Sequence, residues 1–169
     1  MQTWPSQTDL DRVESLKAAL LTGLVAGLVG GALLFAHRVE PLGWSAALAS
    51  TLAGFGGVTF WVSVGIAALS GSLCGLTYRY AVRQDSSSHI RSGVIFAFSL
   101  VRGLALVNVG AAVSLRGWPF LIACTESLLM FALAAAVLEI ALRQQWVQTV
   151  PGAVLPDIPP APAGSEEHN

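Results

Sequence analysis

Residues 16 to 36 read LKAALLTGLVAGLVGGALLFA, and Lys17 is the only charged side chain among them. The hydrocarbon core of a bilayer is about 30 Å thick and is crossed by about 20 helical residues. Lipid offers no hydrogen bonds to an open backbone, so an uninterrupted apolar run of this length favours a helix over a strand. This run predicts a first membrane-spanning helix.

Three further runs have the same character, and the sequence predicts an all-α integral membrane four-helix bundle. Their ranges are 58 to 79, 92 to 114 and 119 to 142. Residues 41 to 57 are apolar but broken by Pro41 and several glycines, so they predict a short interfacial or re-entrant helix. Residues 1 to 148 form the predicted transmembrane domain. Residues 149 to 169 hold five of the eight prolines and predict a disordered tail.

Composition excludes several other classes of protein. The chain is 54% hydrophobic and only 11% charged, whereas a soluble domain has about 25% charged residues. Its net charge of −1, without a basic stripe, argues against binding nucleic acid. The cysteines and histidines lack the paired spacing of a metal site, and no catalytic motif is present. We therefore expect no bound cofactor and no enzymatic activity.

Basic residues predict the orientation, because they are enriched on the cytoplasmic side of membrane proteins. If the amino terminus is cytoplasmic, six basic residues lie inside and two lie outside, so both termini are expected in the cytoplasm or stroma. The inner residues include a predicted basic rim of Arg79, Arg83 and Arg91. The full inner set adds Arg12, Lys17 and Arg143, and the outer set is Arg38 and Arg116.

Small residues recur every four positions on the first two helices, which allows close helix packing in a membrane. The favoured interpretation is packing of helix 1 on helix 2 within one chain, and a homodimer contact is the alternative. The residues are Gly23, Gly27 and Gly31 on helix 1, and Ser63, Ala67, Gly71 and Gly75 on helix 2.

Arg102 lies inside the third predicted span, where a charged side chain costs about 2.5–3.5 kcal/mol on insertion. Glu126 on helix 4 differs from it in depth by about 6 Å, which predicts an ion pair between them. Asn108 points about 120° away from Arg102 around helix 3, so we expect helix 3 to be central, with neighbours on two sides. Glu139 points elsewhere and suits Arg143, or Arg79 and Arg91, better.

Three segments carry a resemblance to a known family: YRYAVRQD at 78–85, HIRSG at 89–93 and FSLVRGL at 98–104. Together they resemble small multi-pass membrane proteins of cyanobacteria and plastids, over about residues 70 to 110. The resemblance implies a thylakoid or plasma membrane location and supplies no activity.

Two functional hypotheses follow. The leading one is a non-enzymatic scaffold, assembly factor or accessory subunit that contacts lipid and other membrane subunits, or copies of itself. In this case the Arg102–Glu126 pair only fixes helix register. The alternative is a small oligomeric transporter or channel in which Arg102, Glu126 and Asn108 line a route. An intramembrane enzyme ranks third.

Overall fold

The computed structural model describes residues 7–82, 88–111 and 118–148. These residues form four helices, each long and apolar enough to cross a membrane, which confirms the predicted all-α fold. The helices are α1 (Gln7–Leu52), α2 (Gly54–Val82), α3 (Ser88–Ala111) and α4 (Trp118–Arg143). The predicted tail, residues 149 to 169, lies outside the described residues.

Helix α1 runs past the predicted end at residue 36 and bends at Gly43. This glycine has φ 75° and ψ 167°, a combination that is essentially restricted to glycine. In a straight helix Arg38 and Ser50 would be about 18 Å apart, yet Arg38 Nη1 donates to the Ser50 carbonyl oxygen at 3.0 Å. The chain therefore turns back at Gly43, and residues 44–52 supply the predicted short helix between spans 1 and 2.

Arg38 holds this turn in place. Besides the Ser50 bond, its Nη2 donates to the Gly56 carbonyl oxygen at 2.7 Å. Its guanidinium carbon lies 5.1 Å from the centroid of the Phe60 ring, a cation–π contact. These bonds provide a donor for a carbonyl at the end of α1 that has no partner within the helix, and they join the short helix to the start of α2.

The four helices alternate in direction, so α1 and α3 start at the same end of the bundle. We call this the Arg79 end, and the opposite end, where α1 bends, the Gly43 end. Among the described residues every pair of helices is in contact except α1 and α3. Only 11% of the apolar window of α3 is buried, against 28–33% for the other three helices. The prediction of a central helix 3 is wrong, because α3 is the least buried of the four and, among the described residues, does not contact α1.

The closest backbone approach is between α1 and α2. A Cβ atom at Gly71 would lie 2.7 Å from the Thr22 carbonyl oxygen, and one at Gly75 would overlap the Thr22 side chain. On α1, Gly23 and Gly27 lie against Ala68. The small residues of the two helices therefore face each other within one chain, which is the arrangement that their spacing favoured over a homodimer contact.

Two of the small residues that recur every four positions, Ala67 and Gly31, contact residues outside that pattern. Ala67 packs against Gly30 of α1, and Gly31 lies against Val64. Gly30 also lies under Met130 of α4, with its ideal Cβ position 3.5 Å from the Met130 sulfur. Three helices therefore meet at Gly30, a position that the four-residue spacing did not single out.

We expect Gly71→Val to lower the stability of the bundle, because its methyl groups cannot fit against the α1 backbone. Overpacking of this kind costs about 1–3 kcal/mol. Gly65→Val is the matched control, since a Cβ at Gly65 on the same helix meets nothing within 4 Å. Thermal unfolding in detergent would measure both variants. Equal midpoints would contradict the close α1–α2 contact.

Candidate intramembrane binding site

A cavity of about 140 Å³ lies between the helices and is lined by residues of all four. Four of its lining residues are polar: Ser63 on α2, Arg102 on α3, and Glu126 and Ser127 on α4. A concave site with apolar walls and a few converging polar groups is the usual form of a small-molecule site.

Arg102 reaches the cavity from deep within α3. It lies 14 residues after Ser88 and nine before Ala111, which is about 21 Å and 14 Å along the helix. Its one hydrogen bond among the described residues is a long contact of 3.5 Å from Nη1 to Ser70 Oγ. The Ser70 hydroxyl itself donates to the Ile66 carbonyl oxygen at 2.7 Å. Most of the guanidinium donors therefore have no partner among the described residues.

The predicted ion pair between Arg102 and Glu126 is wrong. Glu126 Oε1 instead contacts His37 Nε2 at 2.9 Å, and no ion pair joins Arg102 to any carboxylate within the described parts of the chain. The two side chains share the cavity as parts of different walls. Arg102 and Glu126 lie at similar depths, but α1 brings His37 to the same depth, where it contacts the carboxylate.

Ser127 supplies a second unpartnered polar group. The residue is 2% exposed, and its hydroxyl oxygen is buried without a hydrogen-bonding partner in the described structure. A buried unsatisfied hydroxyl costs about 1–3 kcal/mol. Ser127 lines the cavity beside Glu126, although its hydroxyl oxygen is itself enclosed.

The remaining walls are apolar. Gly30, Leu33 and Leu34 come from α1, and Met130 from α4 closes the cavity against Gly30. The contact of three helices at Gly30 therefore forms one boundary of the cavity.

Asn108 belongs to α3, but its side chain lies outside the described residues, so its predicted role stays a prediction.

The predicted basic rim is not a uniform exposed surface. Arg79 is only 1% exposed, and it donates to the Gln148 carbonyl oxygen at 2.8 Å and to Ser15 Oγ. It also contacts Asp11 Oδ1 at 3.5 Å. Arg79 is therefore an internal link between α1, α2 and the segment after α4. Arg83 lies outside the described residues.

Arg91, the third residue of the predicted rim, pairs with Glu139 at 2.7 Å. Arg143 contacts the same carboxylate oxygen at 3.2 Å, and the Tyr78 hydroxyl donates to Glu139 Oε2 at 3.2 Å. Glu139 was predicted to suit Arg143, or Arg79 and Arg91; it pairs with Arg143 and Arg91, whereas Arg79 contacts Asp11 instead. This cluster ties α2, α3 and α4 together at the Arg79 end and leaves Glu139 unavailable to Arg102.

Comparisons with known proteins found no match for this chain, whether among protein-family models, curated proteins or solved structures.

We expect Arg79→Met to destabilise the protein by about 1–3 kcal/mol, because it removes the donor to the Gln148 carbonyl oxygen and to the buried Ser15 hydroxyl. Arg143→Met is the matched control, since the Arg143 side chain is 75% exposed and an exposed pair contributes about 0–1 kcal/mol. Thermal unfolding in detergent would compare the two. A larger loss for Arg143→Met would contradict the internal role of Arg79.

Proposed function

We propose that this integral membrane protein is a small transporter that binds a polar solute in the cavity and carries it across the bilayer. One observation carries this proposal: Arg102 and Glu126 lie in the walls of one cavity without pairing to each other. Ionisable residues within a membrane commonly mark the path of a substrate or an ion.

The alternative, a purely structural role, depended on an ion pair that fixes helix register. Without that pair, the cost of placing Arg102 in the membrane is not offset by a carboxylate of the described chain. A solute that binds in the cavity would offset it, and so would water that enters with the solute. The polar cavity therefore favours solute binding over a register-fixing role.

The scaffold hypothesis has no comparable observation in its favour. Side chains such as Leu100 and Val101 on α3 are exposed on the bundle, at 58% and 71%. An apolar outward face is what contact with lipid requires, so it does not call for a protein partner. The scaffold, its partners and the cyanobacterial or plastid membrane remain predictions from the sequence, and we propose no enzymatic role.

A transporter must open its site to both sides of the membrane, which cysteine labelling can test. In a background with Cys74→Ala and Cys124→Ala, we expect Ser63→Cys in the cavity wall to react with a small charged methanethiosulfonate. Reaction should occur when the reagent is added to either face of oriented proteoliposomes. Ala67→Cys, one turn along the same helix and fully buried, is the control that should stay unlabelled.

Labelling of Ser63→Cys from neither face, with the protein folded, would contradict transport and favour the scaffold. Labelling from one face only would also contradict it, because the cavity would then be a closed-ended pocket.

The proposed orientation places both termini in the cytoplasm or stroma. In the structure, Arg79 and Arg91 lie at the Arg79 end together with Lys17, which contacts Glu14 at 2.7 Å. Arg38 lies at the Gly43 end, so the basic residues separate between the two ends as the positive-inside rule requires.

A reporter fused after Gly152 should read cytoplasmic, and one fused after Arg116, as a truncated chain, should read external. The opposite pattern would reverse the orientation. Equal readings at both sites would contradict the four-span topology.

A further inference from the structure

We infer that the solute of this cavity is a small zwitterion that carries both a carboxylate and an ammonium group. The inference rests on the proposed function and specifies its substrate class. Its basis is the placement of opposite charges in two walls of one cavity, Arg102 on α3 and Glu126 on α4.

Arg102 supplies the site for the carboxylate. A guanidinium has five N–H donors in a planar fork that matches a carboxylate. Only the long Nη1 contact to Ser70 uses one of them among the described residues. The carboxylate of a solute would supply the counter-charge that Glu126 does not.

Glu126 supplies the site for the ammonium group. Its Oε1 faces His37 of α1 at 2.9 Å, and Oε2 has no partner within the described chain. A carboxylate has about four acceptor positions, so the His37 contact orients Glu126 without saturating it.

The volume of the cavity suits a small solute. An apolar cavity of about 150 Å³ holds benzene, a molecule with six heavy atoms, and this cavity measures about 140 Å³. Alanine also has six heavy atoms. The apolar walls formed by Leu33, Leu34 and Ile66 accommodate a short aliphatic group but offer no further polar contacts.

A solute with a single charge fits the site less well. An anion would meet Arg102 favourably but would bring a second negative charge beside Glu126. A cation would meet Glu126 favourably and leave Arg102 without a counter-charge in a medium of low dielectric constant. Only a solute with both charges can pair with Arg102 and with Glu126.

Three related probes separate these possibilities: alanine, propionate, which lacks the amino group, and ethylamine, which lacks the carboxylate. Binding to the full-length protein in nanodiscs would be measured by isothermal titration calorimetry. We expect alanine to bind at least tenfold more tightly than either of the other two probes.

Variants test the assigned roles. Arg102→Met and Glu126→Gln should each weaken alanine binding at least tenfold. Arg102→Lys, which keeps the charge but loses the fork, should weaken it less than Arg102→Met. Thr125→Val, beside Glu126 but outside the cavity lining, is the control and should bind alanine like the unaltered protein. Circular dichroism and gel filtration would establish that each variant is folded.

The other outcomes overturn the inference in distinguishable ways. Propionate binding as tightly as alanine, unaffected by Glu126→Gln, would mean an anion site, and ethylamine binding as tightly would mean a cation site. Binding of none of the probes, with Ser63→Cys labelled from both faces, would reject the zwitterion but not transport. Binding of none, with Ser63→Cys labelled from neither face, would reject the proposed function as well.

Discussion

The close contact between α1 and α2 sets the geometry of the whole bundle. In lipid, apolar side chains gain nothing by meeting each other instead of acyl chains, so helices associate where small residues let backbones touch. Gly71 and Gly75 allow this approach to Thr22 of α1. Helix α4 packs against Gly30 of α1 through Met130. The cavity lined by Arg102 lies between this contact and helices α2 and α3. The candidate site is thus a consequence of how the small residues are distributed.

Features that depend on composition along one helix could be predicted from the sequence. The four spans follow from the length of the apolar runs alone. Two of the three arginines predicted for Glu139, Arg143 and Arg91, are its partners, because Glu139 lies near a helix end and one turn before Arg143. Helix ends were less predictable, because residues 37–42 continue α1 until Gly43 permits a turn.

Features that depend on how helices are rotated against each other could not be predicted. Arg102 and Glu126 match in depth, but they face one cavity from separate walls, and His37 takes the carboxylate. His37 lies six residues before Gly43, about 9 Å along the helix, a depth similar to that of Glu126. That depth depends on the continuation of α1 past residue 36, so a first span ending at residue 36 placed His37 outside the membrane and hid the contact. Arg79 is buried with partners that are distant in the sequence, Ser15 and a carbonyl of the segment after α4. No local sequence pattern predicts such contacts.

The central claim is that Glu126 is held by His37 and not by Arg102. Two double-mutant cycles on thermal stability test it most directly, one pairing Glu126→Gln with His37→Gln and the other pairing it with Arg102→Met. Side chains in contact typically show coupling of about 0.5–3 kcal/mol. The structure predicts coupling in this range between Glu126 and His37, and a smaller value between Glu126 and Arg102. Stronger coupling between Glu126 and Arg102 would contradict the account and restore the direct ion pair.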